Sequence, residues 1–201
     1  MVEDLHGNAP DECNVALVLV DVINAFEFPE SDSMFDAALS AAKRVVALKE
    51  RARAHRIPVV YANDNFGRWR SDFRAQLNHC KKQTGPVSEI ASMLEPDKLD
   101  YYVLKAKLSG FYETSLSLLL HHLRAKTLVL CGFATDRCVL ATALDAHLRD
   151  YALFVPSDCS AAETLEMHSQ ALALMARVAD ANVGPSDVLD LSTLLTKAKR
   201  L

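Results

Sequence analysis

Residues 15–20, Val-Ala-Leu-Val-Leu-Val, form an unbroken apolar run that stops at Asp21. A strand with one wet face alternates polar and apolar side chains. A continuous run must be covered on both faces, which is the condition of a strand inside a parallel sheet. Four more segments read as strands: 57–62, where Pro58 is tolerated at the start, then 99–104, 127–132 and 151–156. Between them lie helical patterns at 36–56, with Asp32 or Ser33 as cap, and at 114–125, capped by Thr114 or Glu113. Others run from Thr135 or Asp136 to about Asp150, over 162–180 and over 186–198. Strands alternating with helices make right-handed βαβ units, so the expected fold is α/β, an open three-layer α/β/α sandwich around a mainly parallel sheet. Residues 1–14 read as a polar N-terminal arm and 15–201 as one domain. The stretch 64–88 has no clear periodicity and holds Gly67, Gly85 and Pro86.

Composition removes several functions. The chain has 201 residues, 50% of them hydrophobic, which suits one globular domain with a core of its own. Its 22 Lys and Arg against 26 Asp and Glu give a net charge of −4, so nothing favours nucleic acid or an acidic membrane surface. The 6 glycines are too scattered for a dinucleotide fingerprint or a P-loop. No H-E-x-x-H, C-x-x-C or G-x-S-x-G occurs. No basic-then-apolar leader opens the chain, and no apolar run reaches the roughly 18 residues that cross a bilayer. With 5 scattered cysteines, the expectation is a cytoplasmic protein with reduced thiols, without membrane contact.

Open parallel sheets bind ligands outside the carboxyl ends of their strands. Asp21 follows the first strand, Lys105 the third, and Cys138 lies just after the fourth. Alone, each is ordinary: a cap, a solvated charge, a packed thiol. Together at one sheet edge they describe acyl transfer through a thioester. Cys138 falls in the first turn of a helix, where free N–H groups and the helix dipole are expected to lower its pKa, with Lys105 adding to the effect. Asp21 can take the thiol proton and return it to a leaving amine.

These residues sit in three segments that resemble the isochorismatase-like cysteine hydrolases. Ala16–Phe26 (ALVLVDVINAF) is similar to that family's opening motif and Lys105–Leu116 (KAKLSGFYETSL) to its lysine segment. Cys131–Val139 (CGFATDRCV), continued by Ala141–Ala146, is similar to its nucleophile segment. The resemblance covers roughly residues 15–183. It implies a triad of Asp21, Lys105 and Cys138, a six-stranded sheet, and a cis peptide before Ala134. That cis bond turns the N–H groups of Ala134 and Cys138 into an oxyanion hole. Two departures matter. Ile23 and Ala25 replace polar residues common in the opening motif. Asn63-Asp64-Asn65 stands where the zinc-binding nicotinamidase branch has an Asp-x-His pair, so the expected enzyme is metal-independent, with no cofactor.

The segment 64–82 adds Phe66, Trp69 and Phe73 and several basic residues. It reads as a pocket wall in which an arginine such as Arg68 or Arg70, or another basic residue of 68–74, meets a substrate carboxylate, or else as a solvated segment or subunit contact. The expected substrate-contacting set is Ala134, Phe26 and Trp69. His79-Cys80 lacks further ligands for a metal. Cys131 reads as core and Cys159 as a loop thiol on the ligand side. The sequence thus points to hydrolysis of a C–N bond in a small amide or carbamoyl substrate, in a homo-oligomer. The alternatives are vinyl-ether hydrolysis and a non-catalytic binding protein that retains the fold.

Overall fold

The computed structural model describes residues 12–28, 31–67, 69–70 and 72–197. Arg68 and residues 1–11 of the expected arm lie outside the described residues. Residues 12–14 run beside the 123–127 segment: Cys13 N–H donates to Leu123 O, and Asn14 O accepts from Lys126 and Thr127.

β1 (Val15–Val20) pairs in parallel with β2 (Val59–Asp64) and with β4 (Thr127–Phe133). β3 (Tyr101–Lys105) extends the sheet beyond β2, and β5 (Ala152–Phe154) beyond β4. A two-residue β6 (Ser160–Ala161) pairs with the carboxyl end of β4, completing 6 strands in the order β3-β2-β1-β4-β5. All pairings are parallel, and the strand order reverses direction between β1 and β4. Such a reversal opens a crevice at the carboxyl ends of the two strands.

The unbroken apolar run has a direct explanation. Val15, Leu17 and Leu19 enter one core, while Ala16, Val18 and Val20 enter the other. The first core is covered by α1 (Phe35–Ala54), α2 (Phe73–Lys81), α3 (Pro86–Met93) and α7 (Leu191–Lys197). The second lies under α4 (Leu116–His122), α5 (Leu140–His147) and α6 (Leu165–Val178). Among the described residues no helix is long and apolar enough to cross a membrane.

Local details differ from the sequence reading. α1 is preceded by a tight turn, Ser31–Met34, so neither Asp32 nor Ser33 caps it. The aperiodic 64–88 stretch contains α2 and the start of α3, short helices begun by the Asp72 carboxylate, which accepts from Ala75 N–H, and by Gly85-Pro86. The last helical pattern is split into a turn at Ser186–Val188 and α7.

Gly132 faces Val20 at the seam where the strand order reverses. Its φ is +133°, and a Cβ there would lie 1.9 Å from Val20 O on β1. No L side chain fits without separating the two strands. Gly132→Ala should therefore destabilise the protein by at least about 3 kcal/mol, read as a fall in the urea midpoint. A midpoint unchanged from wild type would mean that β1 and β4 are not this closely apposed.

Candidate active site

Asp21 is the first residue after β1 and adopts a left-handed conformation, φ +51°. Its N–H donates to Ala62 O at the end of β2, and its Oδ1 accepts from Asp64 N–H at 2.6 Å. Aspartate tolerates this conformation better than bulkier residues because its short side chain bonds locally. The two bonds fix the carboxylate over the sheet edge, leaving Oδ2 for Lys105.

Lys105 is the last residue of β3 and only 1% exposed. Its Nζ lies 2.7 Å from Asp21 Oδ2 and 3.4 Å from Asp64 Oδ2. It also donates to Lys107 O at 3.0 Å and stands 3.5 Å from Cys138 Sγ. A buried ammonium without such partners would be untenable.

Cys138 sits in a wide helical turn, Thr135–Val139, that leads into α5. Phe133–Ala134 is a cis peptide bond, as the resemblance implied. Two further contacts hold the turn. Thr142 donates its hydroxyl to Cys138 O and accepts from Gly110 N–H, which ties α5 to the segment after β3. His168 Nε2 lies 3.0 Å from Ser157 O, which requires a proton on that nitrogen. Nδ1 of the neutral ring therefore accepts from the Thr135 hydroxyl, 2.8 Å away. Burial lowers the pKa of His168 and keeps the ring neutral.

The protonation state corrects one expectation. The Cys138 thiol is not lowered but pushed up to about 12, first by burial and next by the Asp21 carboxylate, with Lys105 opposing both. The Asp21 carboxyl is itself raised by burial, against the pull of Lys105 and of the thiol. Lys105 is raised: burial works against its charge, and the charges of Asp21 and Cys138 outweigh that loss. The thiol thus keeps its proton beside the 2.7 Å Asp21–Lys105 pair.

A cavity of about 420 Å³ opens over these groups and is lined by Asp21, Ala134 and Cys138 among others. Phe26 does not line it. Only 3% exposed, it packs behind the wall against Phe28, Phe35 and Phe133. Trp69 is 78% exposed and borders a neighbouring depression with Lys107 and Tyr112. Arg70 and Arg74 are exposed and off the cavity lining. Cys159, read as a loop thiol, is fully buried, with its sulfur 3.7 Å from Asp158 Oδ1.

Other lining residues were not singled out from sequence. His79 Nε2 is 2.7 Å from Glu27 Oε1, and Arg137 Nη2 is 2.6 Å from Glu163 Oε1. Buried Asn63 exchanges hydrogen bonds with Ile23 N–H and O, and Gln76 donates to the same carbonyl, so the loop after Asp21 is held from two sides. The adjacent His79-Cys80 drew attention only as a metal pair; its distance from Glu27 in sequence concealed the contact. The site does not fit zinc: among the described residues no three His, Cys, Asp or Glu side chains group as metal ligands, and Asp64 is followed by Asn65 and Phe66.

The isochorismatase domain model matches residues 15–183. The chain belongs to the isochorismatase family. It is 34% identical over 168 residues to the isochorismatase family protein YaaI of Bacillus subtilis (strain 168), covering 84% of this chain and 92% of that one. Maleamate amidohydrolase of Pseudomonas putida is 24% identical over 152 residues, 72% of this chain and 70% of its own. The structure of N-carbamoylsarcosine amidase from Thermoplasma acidophilum superposes with a TM-score of 0.66 at 30% identity, covering 88% of this chain and 99% of that one. In this isochorismatase family protein, the six-stranded parallel sheet with helices on both faces is the fold of its structural neighbours.

The opposed influences on the thiol can be separated. Replacing Asp21 with Asn removes the adjacent negative charge, so Cys138 should ionise at lower pH than in wild type. Lys105→Met removes the stabilising cation and should move ionisation to higher pH. Thiolate absorbance followed against pH, with Cys138→Ala as blank, reads both shifts. Shifts of the same sign would contradict the arrangement.

Proposed function

We propose that this protein is a cysteine hydrolase that cleaves the C–N bond of a small amide or carbamoyl compound through a thioester on Cys138. The observation that carries this reading is the buried Lys105 ammonium, 2.7 Å from the Asp21 carboxylate and 3.5 Å from the Cys138 sulfur, with Asp21 and Cys138 both lining the cavity. Relatives named as maleamate and ureidoacrylate amidohydrolases, and the carbamoylsarcosine amidase, support the bond type.

The steps follow from the resting charges. Because the thiol holds its proton, nucleophile formation and attack are coupled. Asp21 accepts the proton as sulfur bonds to the carbonyl carbon, and Lys105 limits the cost of the negative charge that passes to the sulfur and the substrate. The carbonyl oxygen becomes an oxyanion facing the N–H groups of Ala134 and Cys138, donors of a kind worth about 3–4 kcal/mol of barrier. Asp21 then gives its proton to the leaving nitrogen, the C–N bond breaks, and ammonia or an amine departs. Water enters, yields a proton to Asp21 and attacks the thioester. The carboxylic acid leaves, and the thiolate recovers its proton from Asp21. Side chains and backbone groups alone carry these steps.

Ammonia release across small amides, ureas and carbamates is the direct test. Release should be abolished in Cys138→Ala and reduced at least about a thousandfold in Asp21→Asn. Release that survives in Cys138→Ala would refute the thioester, and the absence of any covalent adduct on Cys138 during turnover would point to non-covalent hydrolysis instead.

The pH profile carries a sign. Asp21 must be ionised to accept the proton, and its carboxyl is raised by burial. kcat/KM should therefore fall as pH drops through a value above the ordinary carboxylate range, and Asp21→Asn should lose that acid limb. An acid limb unchanged in the variant would assign the base elsewhere.

A further inference from the structure

The cavity combines apolar walls, including Phe28, Met34, Leu108 and Phe133, with five carboxylates: Asp21, Glu27, Asp64, Asp72 and Glu163. Among the described residues, the permanent cations at or under its lining are Arg137 and Lys105, and both are engaged. Lys105 is buried between Asp21 and Asp64. Arg137 is held by Glu163, whose side chain is only 14% exposed. His79 is held by Glu27. An incoming carboxylate would have to compete with Glu163 for the half-exposed Arg137 or face an excess of like charge in the cavity. A neutral or cationic group meets neither obstacle.

We propose that this site selects substrates whose non-reacting part is an apolar body bearing either no charge or a positive one, and that it rejects carboxylates. Glu163 is the residue that enforces the choice, by occupying the arginine a carboxylate would use. The amide part of this statement rests on the hydrolase reading above; the charge preference rests on the cavity alone. This proposal departs from the expectation that a basic residue of 68–74 receives a substrate carboxylate; of these, Arg68 lies outside the described residues. Arg70 and Arg74 are off the lining, and the cation that does reach it is already paired.

Two experiments keep the parts separate. The first measures Cys138 modification by methanethiosulfonates carrying either a trimethylammonium or a sulfonate group. Rates are read by peptide mass spectrometry and normalised to a small free thiol. The cationic reagent should be favoured at least about tenfold at low salt, and the ratio should shrink as salt screens the carboxylates. Glu163→Gln should reduce the preference several-fold by releasing Arg137, and the double variant Glu163→Gln/Arg137→Gln should lose that relief. The second compares ammonia release from benzamide, 4-(aminomethyl)benzamide and 4-carboxybenzamide, with binding of the same three to Cys138→Ala. The carboxylate should be poorest in both. Equal normalised rates for the two reagents, or tightest binding by the carboxybenzamide, would overturn the proposal. A cationic preference in modification without hydrolysis of any amide would sink the hydrolase reading and leave the charge selectivity standing.

Discussion

A single buried ammonium organises the functional end of this molecule. Lys105 is withdrawn from water, and a lone cation there would cost several kcal/mol even after relaxation. It survives because Asp21, Asp64, the Lys107 carbonyl and the Cys138 sulfur all lie within 3.5 Å. Those partners come from the ends of β1 and β2, from the loop after β3 and from the turn after β4. Removing the Asp21 carboxylate would leave the ammonium with only the more distant Asp64 to compensate it, a destabilising change. The strand ends are therefore held together by the same groups to which the proposed chemistry is assigned.

The cluster stores its charge in a particular way. A thiolate at a helix start would be a permanent anion, attracting cations and oxidants. Here Asp21 pairs with Lys105, and the thiol holds its proton. Burial is the first cause of the raised Cys138 value, and the Asp21 charge is the next. That division of labour suits a general-base mechanism, in which the proton moves as the bond to carbon forms. It also sets the character of the cavity, where further carboxylates at Glu27, Asp64, Asp72 and Glu163 make the surroundings negative despite Lys105 beneath them.

Much of this was legible in the sequence, for identifiable reasons. Parallel strands buried on both faces must be apolar throughout, so β1 and β4 announce themselves, and each strand's end marks where Asp21, Lys105 and Cys138 fall. The segment motifs carried the cis bond before Ala134. The 64–88 stretch resisted because α2 and α3 are only 9 and 8 residues long, too short for a helical period to stand out against Gly85 and Pro86. Phe26 and Trp69 were misplaced because an aromatic residue in a motif or a loop says nothing about which side of a wall it occupies. Phe26 supports the wall from behind, and Trp69 faces out.

The parallel α/β/α architecture, the carboxyl-end crevice and the three residues expected there follow from periodicity and strand ends, because burial on both faces and right-handed crossovers leave few arrangements open. The ionisation of those residues did not follow. The same Cys138 would carry a lowered pKa at an open helix start and carries a raised one here, because depth and the distance to Asp21 decide the sign. The pairings of Glu27 with His79 and Arg137 with Glu163 likewise join residues 52 and 26 positions apart. Only the folded chain brings such charges within bonding distance, and only then is it settled which remain available to a substrate.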